Sequence, residues 1–154
     1  MIRRFSFLLL ASFFFNTFSF SQVNWLGFDQ LDSMIAVEKK PVLIDFYTSW
    51  CTFCKKMDQE VFTDETVIKL LNASFYAVKF DAESTQEIEF EGLKWQKAMG
   101  QNFHSLARFF SPPKKNFAPP LILFLDEDLE MKERVNAYQS RKKLLKKLQK
   151  HSGS

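Results

Sequence analysis

Lys40-Pro41-Val42-Leu43-Ile44-Asp45-Phe46-Tyr47-Thr48-Ser49-Trp50-Cys51-Thr52-Phe53-Cys54-Lys55 is the stretch that decides the fold. Val42 to Tyr47 is an apolar run broken by Asp45 alone, and its length and branched content predict a buried strand. Cys51 to Glu60 then reads as a helix that opens at the cysteines. Two residues between the sulfurs, in a first helical turn, bring them within reach of one disulfide bond. The first-turn N–H groups are unpaired and carry partial positive charge. They stabilise a thiolate on Cys51 and lower its pKa below the free value of ~8.5. A thiolate is the nucleophile of thiol–disulfide exchange, and Cys54, further inside the helix, is placed to resolve the mixed disulfide.

A Cys-x-x-Cys pair also occurs in zinc and haem sites. Tetrahedral structural zinc needs four ligands, and the only histidines are His104 and His151. Haem attachment wants histidine directly after the second cysteine, where Lys55 stands. A purely structural disulfide would close too small a loop to stabilise much by chain entropy. The residues therefore favour redox chemistry, with a metal site and a structural pair as the alternatives. For a soft metal such as Cu(I), Met57 is the nearest further soft donor, although its helical position suits the core.

Outward from this stretch, Phe28 to Val37 carries apolar residues at helical spacing. Lys39-Lys40-Pro41 ends it, because proline disfavours helix at the residue before it. Thr63-Asp64-Glu65 offers caps for a helix through Val67 to Leu71. Phe75 to Phe80 and Leu121 to Leu125 read as strands, and Glu130 to Tyr138 as a fourth. Ser140 caps a last helix with Leu144, Leu145 and Leu148 on one stripe. In residues 83–118 no strand is as clear as these. Phe103, Leu106, Ala107 and Phe110 recur there at helical spacing, and Ser111 to Asn116 is a loop. Strands alternating with helices predict an α/β sheet domain.

A chain of 154 residues holds one ordinary domain. Its hydrophobic share of 46% and charged share of 25% exclude a disordered chain. A formal charge of +3 argues against a nucleic-acid binder driven by net charge. Met1-Ile2-Arg3-Arg4, the apolar run Phe5 to Phe15 and Ser19-Phe20-Ser21 form the three parts of a signal peptide over residues 1–21. The run is short for a membrane span of ~20 residues, and an uncleaved anchor helix is the alternative. After removal, residues 22–154 form one domain in the periplasm or the secreted medium. Arg141, Lys142, Lys143, Lys146, Lys147 and Lys150 concentrate positive charge at the end. That run is read as the solvated face of a helix, with contact to an anionic membrane as the alternative.

The stretch Lys40 to Cys51 resembles the strand and active-site entry of the thioredoxin superfamily. Trp25-Leu26-Gly27-Phe28 and Glu60-Val61-Phe62 resemble its secreted bacterial disulfide reductases and isomerases. The match covers roughly residues 24–82 and 117–150. The resemblance implies a central mixed β-sheet flanked by helices, with an insertion over 83–118 ahead of a cis-proline. It implies that Cys51 attacks and Cys54 resolves. Asp45 corresponds to a buried carboxylate that takes the proton from Cys54, its pKa raised by desolvation. Lys79 resembles the lysine beside that carboxylate, against the alternative of an ordinary surface lysine. Pro120 resembles the cis residue, with Pro119 as a competing alignment. Trp50, Thr52, Phe53, Pro119 and Pro120 would then meet substrate. Pro119 brings no N–H to that contact. Thr52 and Phe53 stand where Gly-Pro would be, and they set the redox potential. The implied partners are protein or peptide disulfides and a membrane-bound electron donor, with no nucleic acid, no metal and no separate cofactor. The chain is expected to be a monomer. The rival reading is a thioredoxin-fold binding module, for a metal or a protein partner, that uses the same thiols without catalysis.

Overall fold

Three apolar runs form the central strands of the sheet. A computed structural model describes residues 22–153, and the signal peptide expected over residues 1–21 lies outside them. The elements run β1 (Trp25–Leu26), α1 (Phe28–Val37), β2 (Val42–Tyr47), α2 (Thr52–Glu60), α3 (Glu65–Ser74) and β3 (Tyr76–Asp81). They continue with β4 (Ile88–Phe90), β5 (Leu93–Trp95), α4 (Ser105–Phe109), β6 (Leu121–Leu125), β7 (Met131–Val135) and α5 (Arg141–His151). Five strands pair in the order β1-β3-β2-β6-β7. β2 and β3 run parallel, whereas β6 is antiparallel to β2 and to β7.

Both faces of the central strands are covered, so these strands are apolar almost throughout. On one face Val42, Ile44, Phe46, Val78, Phe80, Leu121 and Leu123 pack with Phe28 and Leu31 of α1 and Leu106 of α4. On the other, Leu43, Ala77, Ile122 and Phe124 pack with Met57 of α2, Val67 and Leu71 of α3, and Leu144 and Leu148 of α5. Asp45 and Lys79 share the parity of this second face and are register partners across β2 and β3. A charged pair is thereby set beneath the helix that carries the cysteines.

Residues 83–118 differ from the sequence reading, which found no clear strand there. β4 and β5 form an antiparallel hairpin with Ile88 opposite Trp95. Its turn, Glu91-Gly92, has φ of 54° and 69°, the doubly left-handed geometry of a two-residue hairpin connection. Ile88 and Phe90 are buried against the first core while Glu89 between them is exposed. β7 is also shorter than the expected Glu130 to Tyr138. Asp126 accepts N–H bonds from Asp128 and Glu130 at 3.0 and 2.9 Å, which holds a turn up to Glu130. Asn136 leaves the strand to hold the carbonyls of Ala118 and Pro120.

Candidate active site

Cys51 is the N-cap of α2 and Cys54 lies in its first turn. The two are joined in a disulfide, and both residues are almost covered, 4% and 3% exposed. Their difference lies in hydrogen bonding. Cys51 Sγ accepts the N–H of Cys54 at 3.0 Å, and the Cys51 carbonyl accepts from Lys55 at 3.1 Å. The first sulfur thus occupies the place of a capping oxygen, on the positive end of the helix. Trp50 and Phe53 flank the pair with more than half of their surface exposed, 56% and 58%. Thr52 is exposed between the sulfurs.

Asp45 is buried, at 2% exposure, on the central strand β2. Its Oδ2 lies 3.5 Å from Lys79 Nζ, and its Oδ1 has no hydrogen-bond partner among the described residues. Burial pushes the carboxyl up to about 6, against the pull of the Lys79 ammonium and with the push of the Asp58 carboxylate. Lys79 is no surface lysine, since its side chain is 18% exposed. It also pairs with Asp58. The rings of Trp25 and Tyr47 each lie 5.1 Å from its nitrogen and that of Phe62 lies 5.5 Å away. One cation is therefore held by two carboxylates and three aromatic faces.

Asp58 is a member of this group that the sequence reading missed. The signal was available: Asp58 stands four residues after Cys54 on the same helix, so the two share one face. Met57, the residue weighed as a soft donor, is 1% exposed within the second core. His104 is fully buried and caps α4, accepting from the Leu106 N–H at 3.3 Å with Nδ1. Its Nε2 meets the Gln86 carbonyl at 3.1 Å, so burial, which lowers its pKa, leaves a structural imidazole. Among the described residues no three His, Cys, Asp or Glu side chains come together as a metal site.

The cis peptide bond is Pro119–Pro120, which makes Pro120 the cis residue and sets the competing alignment aside. Register carries this loop to the cysteines' end of the sheet. Leu121 pairs with Phe46 across antiparallel strands, so the chain before Leu121 lies beside the chain after Tyr47. The β7–α5 connection closes the same end, with Tyr138 and Phe53 rings 6.1 Å apart. A disulfide on a helix start, a buried titratable carboxylate beneath it and an exposed aromatic rim can together exchange disulfides and move a proton.

The family model Thioredox_DsbH (Protein of unknown function, DUF255) matches residues 8–150. A thiol:disulfide interchange protein DsbD of Campylobacter jejuni (strain RM1221) is 28% identical over 131 residues, covering 85% of this chain. The match spans 19% of that relative's length. Among solved structures, a thioredoxin from Thermus thermophilus superposes with a TM-score of 0.61 at 20% identity, over 84% of this chain and 86% of that one. The oxidised C-terminal domain of Neisseria meningitidis DsbD superposes with 0.56 at 18% identity, over 80% and 90%. These superpositions show the shared fold.

Proposed function

The chain belongs to the Thioredox_DsbH family, and from that premise we propose that it is a thiol–disulfide oxidoreductase that reduces or isomerises protein disulfides. The observation that carries the reading is the Cys54 N–H aimed at Cys51 Sγ from the start of α2. In the reduced chain the same N–H and the helix dipole would hold Cys51 as the thiolate. That thiolate attacks one sulfur of a substrate disulfide and expels the other as a thiolate. Cys54 then attacks Cys51 Sγ in the mixed disulfide and frees the second substrate sulfur. The substrate gains two electrons and two protons, and the chain is left with the Cys51–Cys54 disulfide.

Resolution requires Cys54 to lose its proton. Asp45, titrating at about 6, takes it, and Lys79 and Asp58 tune that step by their opposite charges. Trp50, Thr52, Phe53, Pro119 and Pro120 form the docking rim. Both sulfurs and their proton acceptor come from this chain, and the electrons are returned by a dithiol donor held in a membrane. The working form is residues 22–154 as one monomeric domain, with 83–118 as its insertion. It acts outside the cytoplasm after loss of the signal peptide over residues 1–21. Names among the relatives support the reading, since the C. jejuni protein is called a thiol:disulfide interchange protein.

Insulin reduction by the full chain tests it. The wild-type chain with dithiothreitol should precipitate insulin well ahead of dithiothreitol alone, and Cys51→Ser should fall to that background. Equal rates for wild type and Cys51→Ser would overturn the assignment and favour a non-catalytic binding module.

A further inference from the structure

We infer that residues 101–117 build a second recognition element beside the disulfide, a pocket that takes an acidic side chain of the substrate polypeptide. The inference deepens the oxidoreductase reading and rests on it. A cavity of about 340 Å³ opens between two short stretches of the insertion. Arg108 and Lys115 supply two cations to its wall, and Gln101, Asn102 and Asn116 supply three amides. Among the described residues no carboxylate lines it. Among the described residues neither Arg108 nor Lys115 takes part in an ion pair, and both are exposed.

The pocket sits at the catalytic end of the sheet. Ala82 donates its N–H to the Tyr47 carbonyl at 2.8 Å, and its own carbonyl accepts from the His104 N–H at 2.7 Å. The chain just before His104 is thus tied to the end of β2, four residues from Cys51. The other wall runs straight into the Pro119–Pro120 bond. Phe103 and Phe117, with ring centres 4.8 Å apart, join the two walls and form the apolar part of the lining. A polypeptide lying across the cis-proline loop toward Cys51 therefore has this pocket within reach of a nearby side chain.

The lining selects for charge. Guanidinium and ammonium groups bind carboxylate oxygens strongly, and a guanidinium does so with a planar fork. Amide N–H groups satisfy the remaining oxygen lone pairs. A lysine side chain would meet two like charges and no acceptor of opposite charge. The preferred substrate is a disulfide with Asp or Glu close to the attacked cysteine.

The test uses the reduced full chain and three disulfide-bonded peptides that differ at one flanking position, Glu, Gln or Lys. Expected is a kcat/KM order of Glu over Gln over Lys, with Glu over Lys roughly tenfold at low salt and less in 0.5 M salt, where screening is on the order of a few Å. The double variant Arg108→Gln, Lys115→Gln should bring the Glu-to-Lys ratio near one, and Arg108→Glu with Lys115→Glu should invert it. Affinities of serine-substituted, redox-inert peptides for the oxidised chain should show the same ordering. Reduction of all three peptides at equal efficiency, or a ratio unchanged by the double variant, would overturn the pocket and leave the oxidoreductase reading standing. Glu-selective binding of the inert peptides with no reduction of any disulfide would overturn the oxidoreductase reading and uphold the pocket.

Discussion

Asp45 carries two costs and benefits at once, and both are readable as pH dependence. Its carboxyl is raised from an ordinary 3.8 to about 6 by burial. A raised acid favours the protonated folded state, so its contribution to stability is fully present below about pH 4. That contribution is lost as pH climbs through about 6, because the unfolded chain ionises first. The shift corresponds to about 3 kcal/mol at neutral pH. Asp45→Asn should therefore stabilise the fold at pH 7–8 by an amount on that order, with the gain vanishing below about pH 4. Urea denaturation at both pH values checks this. The same variant should slow resolution of a mixed disulfide above about pH 6, where wild-type Asp45 is an available base, while initial attack by Cys51 is kept. Turnover of Asp45→Asn equal to wild type at pH 7 would take Asp45 out of the proton path. The sequence shows this residue clearly, as one acid in an apolar run six positions before Cys51. Its partners are less visible. Lys79 is found only through the resemblance, and Asp58 only by projecting the helix face below Cys54.

Elements were legible in proportion to their length and to the purity of their period. Val42–Tyr47 and Leu121–Leu125 are long apolar runs, and α1 is bounded in the sequence by the same Phe28 and Val37 that bound it in the fold. Trp25–Leu26 has two residues, too few to display any alternation, and becomes a strand because Trp25 and Leu26 pair with Ala77 and Val78 of β3. The β4–β5 hairpin fails for a similar reason, with three residues on each side of its turn. Its clue was Glu91-Gly92, less suggestive than Asn-Gly for this turn type. Gly92 holds φ +69° with no atom of the described residues near the place of a Cβ, so the constraint there is backbone conformation. Gly92→Ala should destabilise by about 1 kcal/mol, and Gly92→Asn by less, since asparagine tolerates this region. Hydrogen exchange at Ile88–Trp95 reads the effect locally. Equal stability of Gly92→Ala and wild type would mean that the hairpin turn is not formed in solution.

At the scale of the molecule, α5 closes the second core over the sheet, and charge fastens it at both ends. Arg141 pairs with Asp64, the cap of α3. Near the other end, Lys147, Lys150 and His151 converge on Glu133 of β7, and the His151 ring stacks on Phe124 at 4.9 Å. The sequence reading gave the terminal cations to solvent. That holds for Lys142, Lys143 and Lys146, which take part in no ion pair among the described residues, whereas Arg141 ties α5 to the start of α3 and Lys147 and Lys150 tie it to β7. Only tertiary placement could reveal it, because Glu133 lies 14 residues from Lys147. Burial pushes the Glu133 carboxyl up, but hydrogen bonds from His151, Lys147 and Lys150 outweigh it and hold it at about 2, below its ordinary 4.5. A lowered acid stabilises the fold above its unfolded pKa, and that support is lost as pH falls from about 4.5 through 2. Glu133→Gln should then cost on the order of 1 kcal/mol at pH 7, allowing for solvent screening of a surface network. The difference between variant and wild type should close as pH falls from about 4.5 toward 2. High salt should narrow it as well. Thermal unfolding across pH 2–7 measures this, and a gap that persists undiminished at pH 2 would show that Glu133 acts through packing and leave the ionic lock without support.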